Sequence, residues 1–158
     1  MTGPLQIYSA YQQYLQDQAY ARLAEVVDLQ GYTENCLGLT GGWTVGFDVA
    51  LQNYAKNMLA AFTDLQFEIK DTFEGPDALA IRSRAEGTHS GTFLDVPATG
   101  RRIAWDVVTL VHMQDGRMVG QWIQPDLWGI HLQLTSAEPA PASTVAADPP
   151  RDWAQSAR

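Results

Sequence analysis

The sequence predicts an α+β fold, and three observations carry that prediction. Apolar residues recur at a helical period through about residue 62 and at a period of two after it. Asp115-Gly116 lies between two apolar, β-branched runs, a strong hairpin signal. The links between the strands are short, so the order is helices first, then four antiparallel strands.

Leu5 to about Gln16 spaces Leu5, Tyr8, Tyr11, Leu15 and Ala19 as one helical face. Its tyrosines at 8, 11 and 14 give that helix an apolar body with a wet edge. Asp17 caps a second short helix carrying Tyr20, Leu23, Ala24 and Val27 on one side. Asp28 to Gly46 is rich in Gly, Asn and Thr and reads as a short strand and a loop. Phe47, Leu51, Tyr54, Met58 and Phe62 step by four, three, four and four, the stripe of a helix that Thr63-Asp64 ends. Leu65 to Lys70 alternates as a half-buried strand, Gly75-Pro76-Asp77 turns the chain, and Ala78 to Gly87 is the next strand. Thr88 to Phe93 continues extended, and Val96 to Gly100 is a loop.

In the closing hairpin, alternation puts Asp106, Val108, Leu110 and His112 on one face of the first strand. It puts Trp122, Gln124 and Asp126 on one face of the second. If those faces coincide, a histidine and a carboxylate share one apolar surface. Trp105 has the opposite parity and is expected elsewhere. Asp126 precedes Leu127-Trp128-Gly129, so it also reads as a helix or turn cap.

The chain of 158 residues is one domain by size, at 46% hydrophobic and 18% charged. The expected division is a folded unit over 1–135 and a flexible Pro/Ala-rich tail over 136–158, because the tail has too little apolar mass to offset ordering entropy. Net charge is −8 with no Lys/Arg run, which argues against nucleic acid and anionic membranes as partners. One cysteine, Cys36, excludes an internal disulfide and a cysteine metal cluster, and reads as a small apolar residue. His89, His112 and His131 lack ligand-like spacing, so no metal is expected; neither a phosphate loop nor a nucleophile elbow occurs. With no signal-peptide pattern and no membrane-length apolar run, a soluble, cytoplasmic protein is expected.

Several stretches resemble the SnoaL-like polyketide cyclases. Ala61 to Ile69, AFTDLQFEI, is similar to the family's A-F-P-D-hydrophobic segment. Gly87 to Gly91 resembles G-T-H-x-G, Val96 to Arg101 resembles I-P-P-T-G-K/R, and Asp115 to Val119 resembles D-G-K-I-V. Trp122, Asp126, Gly129, Gln133 and Leu134 fit W-x-x-x-D-x-x-G-hydrophobic-x-Q-L. The resemblance runs from about Leu5 to Leu134. Three positions depart from it: Gln121 stands where the family often has Glu, Pro125 precedes the aspartate, and Thr135 replaces a glycine.

The resemblance implies a cone-shaped α+β barrel of the nuclear-transport-factor-2-like type, a curved sheet wrapped around a long helix and enclosing an apolar pocket. It implies cofactor-independent ring closure of a polyketide-like carbonyl compound by intramolecular aldol chemistry. Asp126 then falls on the acid/base carboxylate and His112 on its polar partner. Trp122 and Gln124 are expected to shape and orient the substrate, with His89, Arg82, Tyr54, Met58 and Phe62 as further pocket residues. A non-catalytic small-molecule binder and a water-activating hydrolase are the alternatives on the same fold. The resemblance also implies a homo-oligomer, most simply a dimer. The enzyme reading built on Asp126 requires that residue to face an enclosed hollow.

Overall fold

The computed structural model describes residues 3–137; the expected tail lies, from 138 on, outside the described residues. Helix α1 (Pro4–Gln16) opens on a proline at its first position, where the missing N–H has no helical partner to lose. It buries Ile7, Tyr8 and Tyr11. The second short helix is a 3₁₀ segment, Tyr20–Glu25, that buries Leu23. Strands β1 (Thr33–Cys36) and β2 (Thr44–Val45) follow. Helix α2 (Phe47–Tyr54) continues as a π-helical turn over Ala55–Leu59.

The helix therefore ends earlier than its apolar stripe suggests. Phe62 is the first residue of β3 (Phe62–Glu74), not the last of α2. Asp64 there has φ 54°, and the register slips between Thr63 and Gln66. Strands β4 (Ala78–His89), β5 (Arg102–Gln114) and β6 (Arg117–Pro125) complete a six-stranded curved sheet in the order β2-β1-β6-β5-β4-β3. The four strands expected as antiparallel, β3 to β6, are so, and the parallel pairing of β1 with β6 makes the whole sheet mixed. That parallel seam needs glycine: a Cβ on Gly120 would meet the Thr33 carbonyl oxygen at 2.6 Å. The Asp115-Gly116 turn is as expected, with φ of 51° and 73°, the two left-handed residues of a type I′ hairpin.

After β6 comes helix α3 (Leu127–Thr135), capped by Asp126 as one of the two sequence readings of that residue has it. Ile130 and Leu134 anchor it in the core.

Two apolar clusters fill the inner face of the sheet. One joins α1, the start of α2 and the hairpin end, through Tyr8, Tyr11, Tyr32, Phe47, Val111 and Met118. The other joins β3, β4, β5 and α3 through Phe62, Ala85, Phe93, Trp105, Ile130 and Leu134. A cavity lies where they meet, bordered by Tyr8, Tyr11 and Phe47 from the first and Trp105 and Val107 from the second.

Candidate active site

The cavity has a volume of about 110 Å³. Its apolar walls come from α2 (Phe47, Leu51), the π-helical turn after it (Met58) and from β3 and β5 (Phe67, Trp105, Val107). Its polar side is Tyr8 and Tyr11 from α1, Glu34 from β1, Thr109 from β5 and Gln121 from β6. None of the cavity-lining residues is Lys, Arg or His.

Glu34 is the one acidic residue on that surface. It is 7% exposed, in register with Gln121 across the parallel seam. One oxygen, Oε2, accepts from Gln121 Nε2 at 2.8 Å and from the Tyr32 hydroxyl at 3.2 Å. Burial raises its pKa, and these two donors only partly oppose the shift. Gln121 Nε2 also reaches the Tyr11 hydroxyl at 3.4 Å, and Gln12 Nε2 donates to the Tyr8 hydroxyl at 2.8 Å. Burial pushes Tyr8 up to about 12 and Tyr11 well above the ordinary phenol value, so both remain O–H donors. Cys36, half-buried at the cavity edge, is pushed up to about 12 and stays a thiol. The site thus pairs a proton-accepting carboxyl with nearby phenol donors in an apolar enclosure, the equipment of acid/base chemistry at carbon.

The expected pair does not meet there. The faces of β5 and β6 do coincide, since Val108 pairs with Gln124 and Leu110 with Trp122, but theirs is the outer face. The inner face of β5 carries Trp105, Val107, Thr109, Val111 and Met113, the parity set aside as lying elsewhere. His112 is exposed opposite Gly120. Asp126 is exposed and caps α3, its Oδ1 accepting from the Gly129 N–H at 2.9 Å. Its backbone N–H bonds the Asp106 carbonyl, six residues along β5 from His112, so the two side chains stand roughly 20 Å apart.

Of the remaining expected residues, Tyr54 and Met58 line the cavity. Trp122 is half-buried on the outer face, edge-on to Trp43 at 5.6 Å, and Gln124 is exposed. Arg82 is also on the outer face, in ion pairs with Asp71 at 2.6 Å and Asp106 at 3.4 Å. Phe62 belongs to the second cluster, against Trp105 and Phe93. His89 is fully buried beside Phe62 and holds the loop after β4, its Nδ1 accepting from the Thr99 N–H at 3.2 Å. Neither Phe62 nor His89 borders the cavity.

Glu34 goes unnoticed in the sequence reading, which notes Gln121 and the α1 tyrosines without placing them in a site. The signal for Glu34 was thin: a lone carboxylate in Tyr32-Thr33-Glu34-Asn35-Cys36, a short strand with no motif around it. The wet edge read for Tyr8 and Tyr11 was a true signal, but nothing said which element they faced.

A family model for SnoaL-like polyketide cyclases matches residues 5–134 of this chain. Aklanonic acid methyl ester cyclase DauD of Streptomyces sp. (strain C5) is 33% identical over 64 residues, and the chain spans 40% of that protein's length. A SnoaL-like polyketide cyclase structure from Agrobacterium tumefaciens is 25% identical, covers 85% of this chain and 99% of that one, and gives a TM-score of 0.67. Wild-type IdmH from Streptomyces antibioticus, 23% identical over 83% of this chain and 97% of its own, gives a TM-score of 0.72 and shares the fold. With the family model spanning the whole cone from α1 to the end of α3, the chain belongs to the SnoaL-like polyketide cyclase family.

Proposed function

We propose that this protein closes a ring in a polyketide-like carbonyl compound by cofactor-independent, intramolecular aldol chemistry, with Glu34 as the acid/base. The observation that carries the reading is the Glu34 carboxyl, buried on the polar side of an apolar cavity in a chain of the polyketide cyclase family. The carboxylate removes a proton from a carbon flanked by carbonyls. The enolate carbon then bonds to a second carbonyl carbon of the same molecule. Glu34 returns its proton to the alkoxide, so proton and electron pair balance over the cycle. Tyr8 and Tyr11 donate hydrogen bonds to the oxygen on which charge builds. Phe47, Met58, Tyr54 and Trp105 hold the ring system against the carboxyl and keep water from it. The exposure of Asp126 and His112, neither of which borders the cavity, argues against the roles expected for them.

The assay follows from the relative's name: aklanonic acid methyl ester and related polyketide esters are offered to the purified chain, and cyclised product is measured. Glu34→Gln is expected to lower turnover by ~10²–10⁴-fold while ligand binding survives. Undiminished turnover in that variant removes Glu34 from the mechanism. Oxygen from labelled water appearing in product assigns hydrolysis instead of ring closure.

We also propose a homodimer formed through the outer face of the sheet, which carries the exposed apolar residues Phe73, Val108 and Leu110.

A further inference from the structure

Gln121 is 4% exposed, and its amide is used unevenly. Nε2 directs its two protons at Glu34 Oε2 (2.8 Å) and the Tyr11 hydroxyl (3.4 Å). Oε1 is buried with no hydrogen-bond partner among the described residues. A buried acceptor without a donor is costly, so its orientation needs a cause. The alternative orientation explains it. Turned by half a revolution, the amide sets Oε1 against Glu34 Oε2, two acceptors with no proton between them while the carboxylate is charged. Once Glu34 holds a proton, its O–H can fill that gap, and the turned amide can accept from it and from the Tyr11 hydroxyl. The orientation in the structure is the one that suits a charged Glu34.

We propose that Gln121 is a positioning residue whose amide turns with the protonation state of Glu34, holding the carboxylate in place before proton abstraction and the carboxylic acid in place after it. This rests on the acid/base reading of Glu34. The titratable groups around Glu34 are Tyr8 and Tyr11 on α1, Tyr32 ahead of β1 and Cys36 on β1. Burial holds all four above their ordinary values, so each is neutral throughout the working range and Glu34 changes charge alone. A fixed donor at Gln121 would stabilise the charged form more than the protonated one and hold back the proton-bearing intermediate. A reversible amide supports both.

The test is an NMR titration of the full chain with carbon-13-labelled glutamate and nitrogen-15-labelled glutamine, which needs no substrate. In the unmodified protein, the Gln121 side-chain amide signals are expected to move with the same midpoint as the Glu34 carboxyl. In Gln121→Met, of similar shape but with neither donor nor acceptor, both forms of Glu34 lose support, so its midpoint is expected to move by less than the ~1–2 pH units that loss of a fixed donor would give. The acidic limb of the kcat/KM profile should move with it. Gln121→Glu is a second variant in case the first does not fold: two carboxyls sharing one proton should titrate in two well-separated steps. Amide signals indifferent to Glu34, a midpoint raised by the full ~1–2 pH units of a fixed donor in Gln121→Met, or a single unsplit step in Gln121→Glu each overturn the proposal. These outcomes are separate from the catalytic reading, which fails only if Glu34→Gln still turns over substrate.

Discussion

In the proposed mechanism, Glu34 sets stability against activity at one atom group. Its native pKa lies above the ordinary 4.5 because burial disfavours the charged form. The native state therefore binds the proton more tightly than the unfolded chain. Stability from this group is fully present below pH 4.5 and is lost as pH rises from there through the native value. Glu34→Gln removes the ionisation but keeps an oxygen able to accept from Gln121 and Tyr32. The variant is expected to melt at a higher temperature than the unmodified protein at pH 7, with the gap closing towards pH 4; equal melting temperatures at both pH values would contradict the burial argument. His89 titrates with the opposite sign. Burial lowers its pKa from 6.5, so the unfolded chain binds the extra proton first as pH falls. Its contribution is intact above pH 6.5 and declines as pH drops from there through the native value. A proton on Nδ1 would also face the Thr99 N–H that this atom now accepts. Melting temperature should fall between pH 6.5 and 5, and the fall should be shallower in His89→Asn. An identical slope in the variant would assign the acid sensitivity to other groups.

At the scale of elements, the ends of strands and helices decide what each residue does. Asp126 stands at the exit of β6 and its side chain begins α3, satisfying the Gly129 N–H that the helix leaves open. Asp126→Ala is expected to cost about 1 kcal/mol of stability in chemical denaturation, while Asp126→Asn, an equally good cap, should cost little. Neither should change kcat, and a large loss of turnover in Asp126→Asn would return this residue to the mechanism. The α+β order, the Asp115-Gly116 hairpin and the α1 tyrosine face were legible because each follows from local periodicity or turn chemistry. The inner side of β5 was not. Its even positions offer Val108 and Leu110, and its odd positions Trp105, Val107, Val111 and Met113, so both faces look apolar and alternation alone cannot choose. An added clue was available: Asp106 and His112 interrupt only the even face. β1 was harder still. A four-residue strand joined in parallel to β6 depends on contacts some 87 positions apart in the chain, such as Gln121 with Glu34, and no local pattern carries that.

For the molecule as a whole, the same ambiguity of β5 has a physical source, because its second apolar face also needs covering. Register aligns Phe73, Ala80, Leu110 and Trp122 as a row across β3, β4, β5 and β6, and Trp43 stands edge-on at its end. Phe73 is 64% exposed, Leu110 45% and Trp43 59%. A continuous apolar row of this kind marks an interaction surface, and a two-fold axis through it would set the row of one protomer on that of its partner. The inner face, with Glu34 and its cavity, lies on the other side of the sheet and would be left unobstructed. Light scattering of the purified chain is expected to give twice 17.4 kDa. Leu110→Lys puts a charge at the centre of the row and should give monomers of unchanged circular dichroism, since Leu110 has no part in either apolar cluster. A single 17.4 kDa species from the unmodified chain at micromolar concentration would refute the dimer. Dimers that persist in Leu110→Lys would move the contact to another surface, leaving the apolar row on the outer face without a partner.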